Sequence, residues 1–335
     1  MGRNVATTPD SWALDPALTM TVTSERALLL QSGPTIHRIA NRAVVEIAET
    51  LFSASGPEVT IPASLPQEHR DIALELMEVL TNTGLAVSLI AEMKNSSQLE
   101  MYFETRRRAS RPISMRSFLK SLELASVRIE GDGGVAKAIR GELAHLGINT
   151  DPDTERHASI DLIVYVADGE HAKHIGRFNL ERLEDEARTP WLLVQPFDGS
   201  RSIVGPLIAP ETSACAECYR LRRLSNFPDD AVSAELEEAT IVRAGQTNHP
   251  SSLSHAFVAG MVAQVALDLV ISGFDGPTST PGFIRVLTNT ATELSITSHR
   301  LLRVPRCTAC SHARGTGAPQ IWFPVSVNPE ASQHG

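Results

Sequence analysis

The chain is 335 residues long, 42% hydrophobic and 21% charged, with a formal net charge of -9. That length accommodates two domains with a sizeable core, and the acidic balance argues against a general nucleic-acid binder. No uninterrupted apolar run reaches the ~20 residues of a membrane span; the best stretch, Ser254 to Ile271, is broken by Gln264 and Asp268. The N-terminus MGRNVATTPDSW lacks the charged-then-apolar layout of a secretory signal, so cytoplasm is the expected compartment.

Residues 1 to 15 are polar and read as a frayed end. Three short strands are expected at 19–23, 27–31 and 35–39, separated by the turn signals Ser24-Glu25-Arg26 and Ser32-Gly33-Pro34. Asn41 is placed to cap a helix whose apolar stripe is Val44, Val45, Ile47, Ala48, Leu51 and Phe52. Beyond a loop holding Pro57, Pro62 and Pro66, the helical spacing of Ile72, Ala73, Leu76, Met77 and Leu80 predicts a helix over 67–82, ended by Gly84. The run 85–90 reads as a returning strand. Strands, helices and trailing strand together make a winged-helix-like unit. Its second helix sets Arg70 against Glu68, Asp71, Glu75 and Glu78, which disfavours DNA there.

Residues 91–120 break the composition, with seven Lys/Arg, among them Arg106, Arg107 and Arg108, against three acidic residues. They read as a solvated linker or helix face, with a docking surface for an acidic partner as the sharper alternative. A strand at 126–130 then runs into Gly131-Asp132-Gly133-Gly134-Val135-Ala136 and a helix through Ala144. Strand, glycine turn and helix is the layout of a nucleotide site, because glycines let the backbone approach a phosphate at the helix N-terminus. The ribose-binding acid expected ~20 residues on has only Asp151 or Asp153 as candidates, with Pro152 between them. Parallel strands are expected at 160–168 and 190–195, another strand at 204–208, then an acidic loop with Asp229, Asp230, Glu235, Glu237 and Glu238. The segment 254–271 is apolar nearly all round and reads as a buried helix, and 283–287 with 293–297 reads as a hairpin.

The only four cysteines form two C-x-x-C pairs, Cys215/Cys218 and Cys307/Cys310, each in a loop-like setting. Two such turns supply the four soft ligands of a closed tetrahedral zinc site, which leaves no open position for water and so holds structure without doing chemistry. A redox pair or a disulfide is the weaker reading, since a second matched pair would be superfluous and no oxidising compartment is indicated. His171 and His174 form an H-x-x-H without a carboxylate at metal spacing and read as solvent-exposed. Asp185 and Glu186 read as a charged helix end. No G-x-S-x-G or Walker A pattern is present.

Two resemblances follow from these residues. The order strand, strand, strand, helix, helix over 19–82 resembles the PqqD-like recognition element, a small winged-helix domain that captures the leader of a ribosomally made peptide. By that resemblance the leader adds as a strand beside Thr35, Ile36, His37, Arg38 and Ile39 and packs on the helix face bearing Leu76 and Leu80. The glycine turn, GPLIAPETSACAECYR, HAFVAGMVAQVALDLVISG and VPRCTACSH, in that order, resemble the ThiF-like activating enzymes, whose two C-x-x-C pairs hold a structural zinc. With the recognition-like unit in front, the chain resembles the ocin-ThiF-like partner proteins of thiazole/oxazole-modified peptide biosynthesis. The expected fold is therefore α/β, a winged-helix (PqqD-like) domain followed by a ThiF-like Rossmann-type domain with a four-cysteine zinc site. Its expected bounds are 15–92 for leader recognition, 93–122 for a helical connector, 123–325 for the α/β domain and 326–335 for a disordered tail.

The resemblance implies a non-catalytic subunit that binds a precursor leader and presents it to a YcaO-type cyclodehydratase, the ATP-consuming partner; ThiF-like domains also often form homodimers. Departures bear on whether this chain handles ATP itself. Asp161 and Asp168 match the family's DxxxDxxDN, but Tyr165 and Gly169 replace polar residues. Arg156 is the only cation in 149–163, and Asp132 puts a negative charge where phosphate would sit. Gly131, Gly133, Gly134 and Asp168 are accordingly expected to be a vestigial nucleotide site. The alternatives are a true adenylating enzyme acting on a peptide carboxylate or amide and, more remotely, a zinc-stapled NAD-dependent oxidoreductase.

Overall fold

The computed structural model describes residues 11–53, 58–89, 96–150, 160–168, 170–225 and 252–311. Asp151, Asp153, Arg156, Gly169, the acidic loop over 229–238 and the tail over 326–335 lie outside these. The chain divides into two compact units, one of Met1–Ser126, Glu142–Thr150 and Gln264–Ser279, the other of Val127–Gly141, Asp151–Ala263 and Thr280–Gly335.

The first unit holds strands β1 (Ser11–Leu14), β2 (Thr19–Val22), β3 (Leu28–Ser32) and β4 (Thr35–Ile39), then helix α1 (Arg42–Leu51), β5 (Glu58–Thr60), α2 (Gln67–Asn82), β6 (Ala86–Ser88), α3 (Ser96–Arg108) and α4 (Met115–Leu124). β2, β3 and β4 form an antiparallel meander, and β5, β1 and β6 form a second antiparallel sheet in that order. Asn41 caps α1 by accepting from the Ala43 and Val44 amides, and the stripe of α2 is buried at Ala73, Leu76, Met77 and Leu80. These side chains share one core with Trp12, Leu28, Leu30, Val45, Ile47 and Val59.

Two expectations fail here. Part of the supposedly frayed start is β1, the middle strand of its sheet, with Trp12, Ala13 and Leu14 buried. Its partners β5 and β6 lie more than 40 residues away in sequence, so no local turn signal announces it. The basic run departs from a purely solvated face: Arg107 and Arg111 are exposed, yet the arginines of 106–108 reach into the unit. Arg106 donates to the Thr81 and Ala86 carbonyls, Arg107 pairs with buried Asp15, and Arg108 lies 3.7 Å from the carboxylate of buried Asp268. The connector around them is α3 and α4, whose Leu99, Tyr102, Phe103 and Phe118 are buried and whose rings meet edge to face.

The second unit is built on a six-stranded sheet in the order β12-β11-β10-β9-β8-β7. β7 (Val127–Glu130), β8 (Leu162–Val166) and β9 (Trp191–Gln195) run parallel. β10 (Arg201–Ile208), β11 (Phe283–Asn289) and β12 (Leu294–Arg300) continue antiparallel. α5 (Gly134–His145) follows β7, α6 (His171–Glu184) follows β8, α7 (Ala216–Leu224) follows β10, and α8 (Ser252–Ser272) precedes β11, the ends of α5 from Glu142 and of α8 from Gln264 belonging to the first unit. β8 is buried at every position, as a strand covered on both faces must be. Tyr165, Trp191 and Phe178 stack against one another beneath α6.

α8, despite Gln264 and Asp268, is by length and composition apolar enough to span a membrane, with mean hydropathy 1.8 over its best window. Half of that window is buried within the protein. Asp268, near the C-terminal end of α8, is buried and accepts from Gln264, the Thr278 amide and the Thr278 hydroxyl.

Candidate functional site

The cysteine cluster is the most sharply defined site. Cys215 is the N-cap of α7 and Cys218 lies in its first turn, so the first pair stands at a helix start and not in a loop; the second pair sits in turns after β12. The helix start is organised from outside the motif. Cys215 makes no side-chain cap, and the buried Asn179 of α6 instead accepts from the Ala216 amide at 3.0 Å. Arg222 donates to the Leu302 and Arg303 carbonyls, and Arg303 donates to those of Ser213 and Glu211, tying the two cysteine segments together.

The four sulfurs lie within 4.8 Å of one another. Cys215 and Cys218 are 3.9 Å apart, Cys215 and Cys307 3.7 Å, and Cys218 and Cys310 3.5 Å. Zinc–sulfur bonds of ~2.3 Å in a tetrahedron place sulfurs ~3.8 Å apart, so the donor set fits that ion; a disulfide needs ~2.05 Å. The hydrogen bond from Cys215 and the Val304 amide hold the Cys218 thiol down to about 4. Cys215 is pushed up by that same bond and by burial, and burial lifts Cys310 to about 11. Crowded thiols of this kind ionise together only around a cation.

The glycine turn is the second site. Gly131 has φ +140°, a conformation L side chains rarely adopt. A Cβ on Gly133 would collide with the Asp168 carboxylate, and one on Gly134 with the His255 ring. Both cradles are thus filled by side chains of this chain. His255, which sequence reasoning passed over as part of a buried helix, has its Nε2 buried with no hydrogen-bond partner among the described residues. Arg140, midway along α5, donates to the Ile129 and Gly131 carbonyls. Burial is the main cause that pushes the Asp168 carboxyl upward, with Asp132 adding to it against the lowering effect of His171 and the Gly133 amide. Of the H-x-x-H pair, His174 is exposed and bonds the Glu170 carbonyl, while His171 is half-buried with its carbonyl accepting from the Tyr165 hydroxyl.

The third candidate is β4. It pairs only with β3 among the described residues. Thr35, Ile36 and Arg38 are exposed, His37 and Ile39 half-buried, and Ile36 is 61% exposed. Leu76 and Leu80, by contrast, are 3% and 0% exposed. They are core side chains, and a groove of about 440 Å³ on α2 is lined instead by Trp12, Asp71, Leu74, Glu75, Glu78, Thr81, Asn82 and Ser88.

No family profile and no curated protein matches this sequence. Solved structures do match. A heterocyclase in complex with substrate and cofactor aligns at TM-score 0.60 and 18% identity over 90% of this chain and 39% of its own. The heterocyclase TruD aligns at TM-score 0.60 and 19% identity over 90% and 43%. E. coli MccB, bound to AMPCPP and selenomethionine MccA, aligns at TM-score 0.54 and 14% identity over 90% of this chain and 100% of its own. At these identities the likeness defines the fold: the chain has the mixed α/β architecture of MccB, and spans about two fifths of the length of the heterocyclases.

Proposed function

We propose that this chain is a leader-binding, non-catalytic partner in ribosomal peptide modification. It recruits a precursor through its front unit, over 15–92, and presents the peptide to a separate YcaO-type cyclodehydratase that forms thiazoline or oxazoline rings. The observation that carries the reading is the glycine turn, where Asp168 and His255 occupy the cradles a phosphate would need and Arg140 braces backbone carbonyls. The fold shared with two heterocyclases over 90% of this chain supports a place in peptide modification.

Leader capture is assigned to the outer edge of β4, where main-chain amides and carbonyls supply affinity and Ile36 supplies an exposed apolar contact. The winged-helix and ThiF-like descriptions belong to this reading, as does homodimer formation. Cys215, Cys218, Cys307 and Cys310 would hold a zinc ion, whose role when bound is to fasten the α7 start to the segment after β12. A cytoplasmic setting keeps those thiols reduced and available. Neither nucleic acid nor a membrane is assigned as a partner.

A second reading is favoured by one observation. The fold is shared over the full length of MccB, which has been solved with ATP, so a true adenylating enzyme acting on a peptide carboxylate or amide is the competitor. Calorimetric titration with Mg-ATP separates the two. The proposal expects no saturable heat, and ATP turnover by the isolated chain would overthrow it. For leader capture, Ile36→Asp should weaken binding of a leader peptide about tenfold or more while leaving the fold intact, because Ile36 is exposed.

A further inference from the structure

Around the cysteine cluster the charge of the molecule reverses. The segments 211–225 and 294–311 hold six arginines against two glutamates, in a chain whose net charge is -9. Glu217 is already bonded to Arg220 and Glu211 to Arg188. Arg222 and Arg303 donate to main-chain carbonyls. Arg300 and Arg306 are exposed and form no ion pair among the described residues.

The same region exposes apolar surface. Among the described residues, β12 is the outer strand of the six-stranded sheet and pairs only with β11. Its alternation puts Leu294, Ile296, Ser298 and Arg300 on one face, and Leu294 and Ile296 are 60% and 55% exposed. Leu302, whose carbonyl receives Arg222, is 58% exposed. Apolar anchors ringed by arginines are the composition of a protein interface, where Arg is enriched and Lys depleted, and both segments contain no lysine. The cysteine cluster fixes their backbones in advance, which lowers the ordering cost of association.

We infer that the outer face of β12 together with Arg222, Arg300, Arg303 and Arg306 is a docking surface for a polypeptide partner carrying carboxylates beside leucine-like side chains. This rests on the reading of the chain as a presenting subunit, and it assigns the contact with the modifying enzyme to the second unit, while leader capture is assigned to β4 of the first. Charge complementarity selects the partner: the arginine guanidinium pairs with carboxylates through two parallel hydrogen bonds, and the surrounding protein is acidic, which repels such a partner elsewhere.

The test uses the full chain and three fluorescein-labelled peptides of equal length in which leucine alternates with glutamate, glutamine or lysine, read by anisotropy. The glutamate peptide should bind, the glutamine peptide about tenfold more weakly, and the lysine peptide not at all; Arg300→Glu/Arg306→Glu should lose binding of the glutamate peptide about tenfold or more. Both substituted residues are exposed, so cysteine titre and melting temperature should be unchanged, and Arg42→Glu on α1 serves as the distant control. Equal binding by the double variant, or equal binding of glutamate and lysine peptides, overturns the inference. So does a labelled oligonucleotide that binds this face while the glutamate peptide does not. Leader capture, measured in parallel with Ile36→Asp, keeps the two readings apart: intact leader capture with no glutamate-peptide binding sinks the docking surface alone.

Discussion

Asp168 is a carboxyl whose pKa is raised in the fold, chiefly by burial. A raised carboxyl contributes stability that is present below its unfolded pKa and lost as pH rises through the folded one. At neutral pH the ionised group therefore weighs against the folded state, and Asp168→Asn should raise the urea midpoint at pH 7. A fall instead would show that the carboxylate holds a ligand in solution. Tyr165 behaves similarly at the other end of the scale: burial first, then Glu130, push its hydroxyl up to about 12 from 10.0. Its contribution, on the order of 2–3 kcal/mol at most by the linkage relation, is fully present below pH 10 and disappears as pH climbs toward 12. Alkaline unfolding monitored by circular dichroism should lose that limb in Tyr165→Phe.

At the level of elements, two buried polar residues join segments far apart in sequence. Asn179 supplies from α6 the cap that α7 lacks, and Asn179→Ala should cost about 1–2 kcal/mol and loosen the cysteine cluster. Chemical denaturation and the rate at which a thiol reagent reaches Cys215 would report both effects. Asp15 accepts from Ser32, the Ala17 amide and Arg107, linking the β1–β2 turn to β3 and α3. Removing it in Asp15→Ala leaves those donors unmet, an expected loss of about 2–3 kcal/mol; a change under about 0.5 kcal/mol, the size of an ordinary surface substitution, would show that Arg107 and its neighbours find water instead. α2 and α1 were legible from period and cap because both signals are local. β1 was not, since a four-residue strand becomes recognisable only beside its distant partners.

For the molecule as a whole, the expected zinc content is one ion per chain, with Cys310→Ser reducing it and a strong chelator lowering the melting temperature of the second unit. Mass spectrometry under native conditions reads the first and calorimetry the second. Protein purified without metal and equally stable would leave the cluster a set of free thiols. The three arginines of α3 carry the same lesson about scale. Their charge is plain in the sequence, yet each is committed inside the first unit, to carbonyls of α2 and β6, to Asp15 and to Asp268. Near the cysteines, Arg300 and Arg306 are exposed and form no ion pair among the described residues.

The sequence by itself determined the cysteine donor set, the glycine turn, the three parallel strands and the two amphipathic helices of the front unit. Those depend on residue type, 3.6- or 2-residue period and capping within a few positions. Only the tertiary structure decided that β1 is a central strand, that Leu76 and Leu80 are core, and that His255 closes over Gly134. Each of those contacts joins residues dozens to more than a hundred positions apart, where chain entropy and packing choose the partner and no local pattern records the choice.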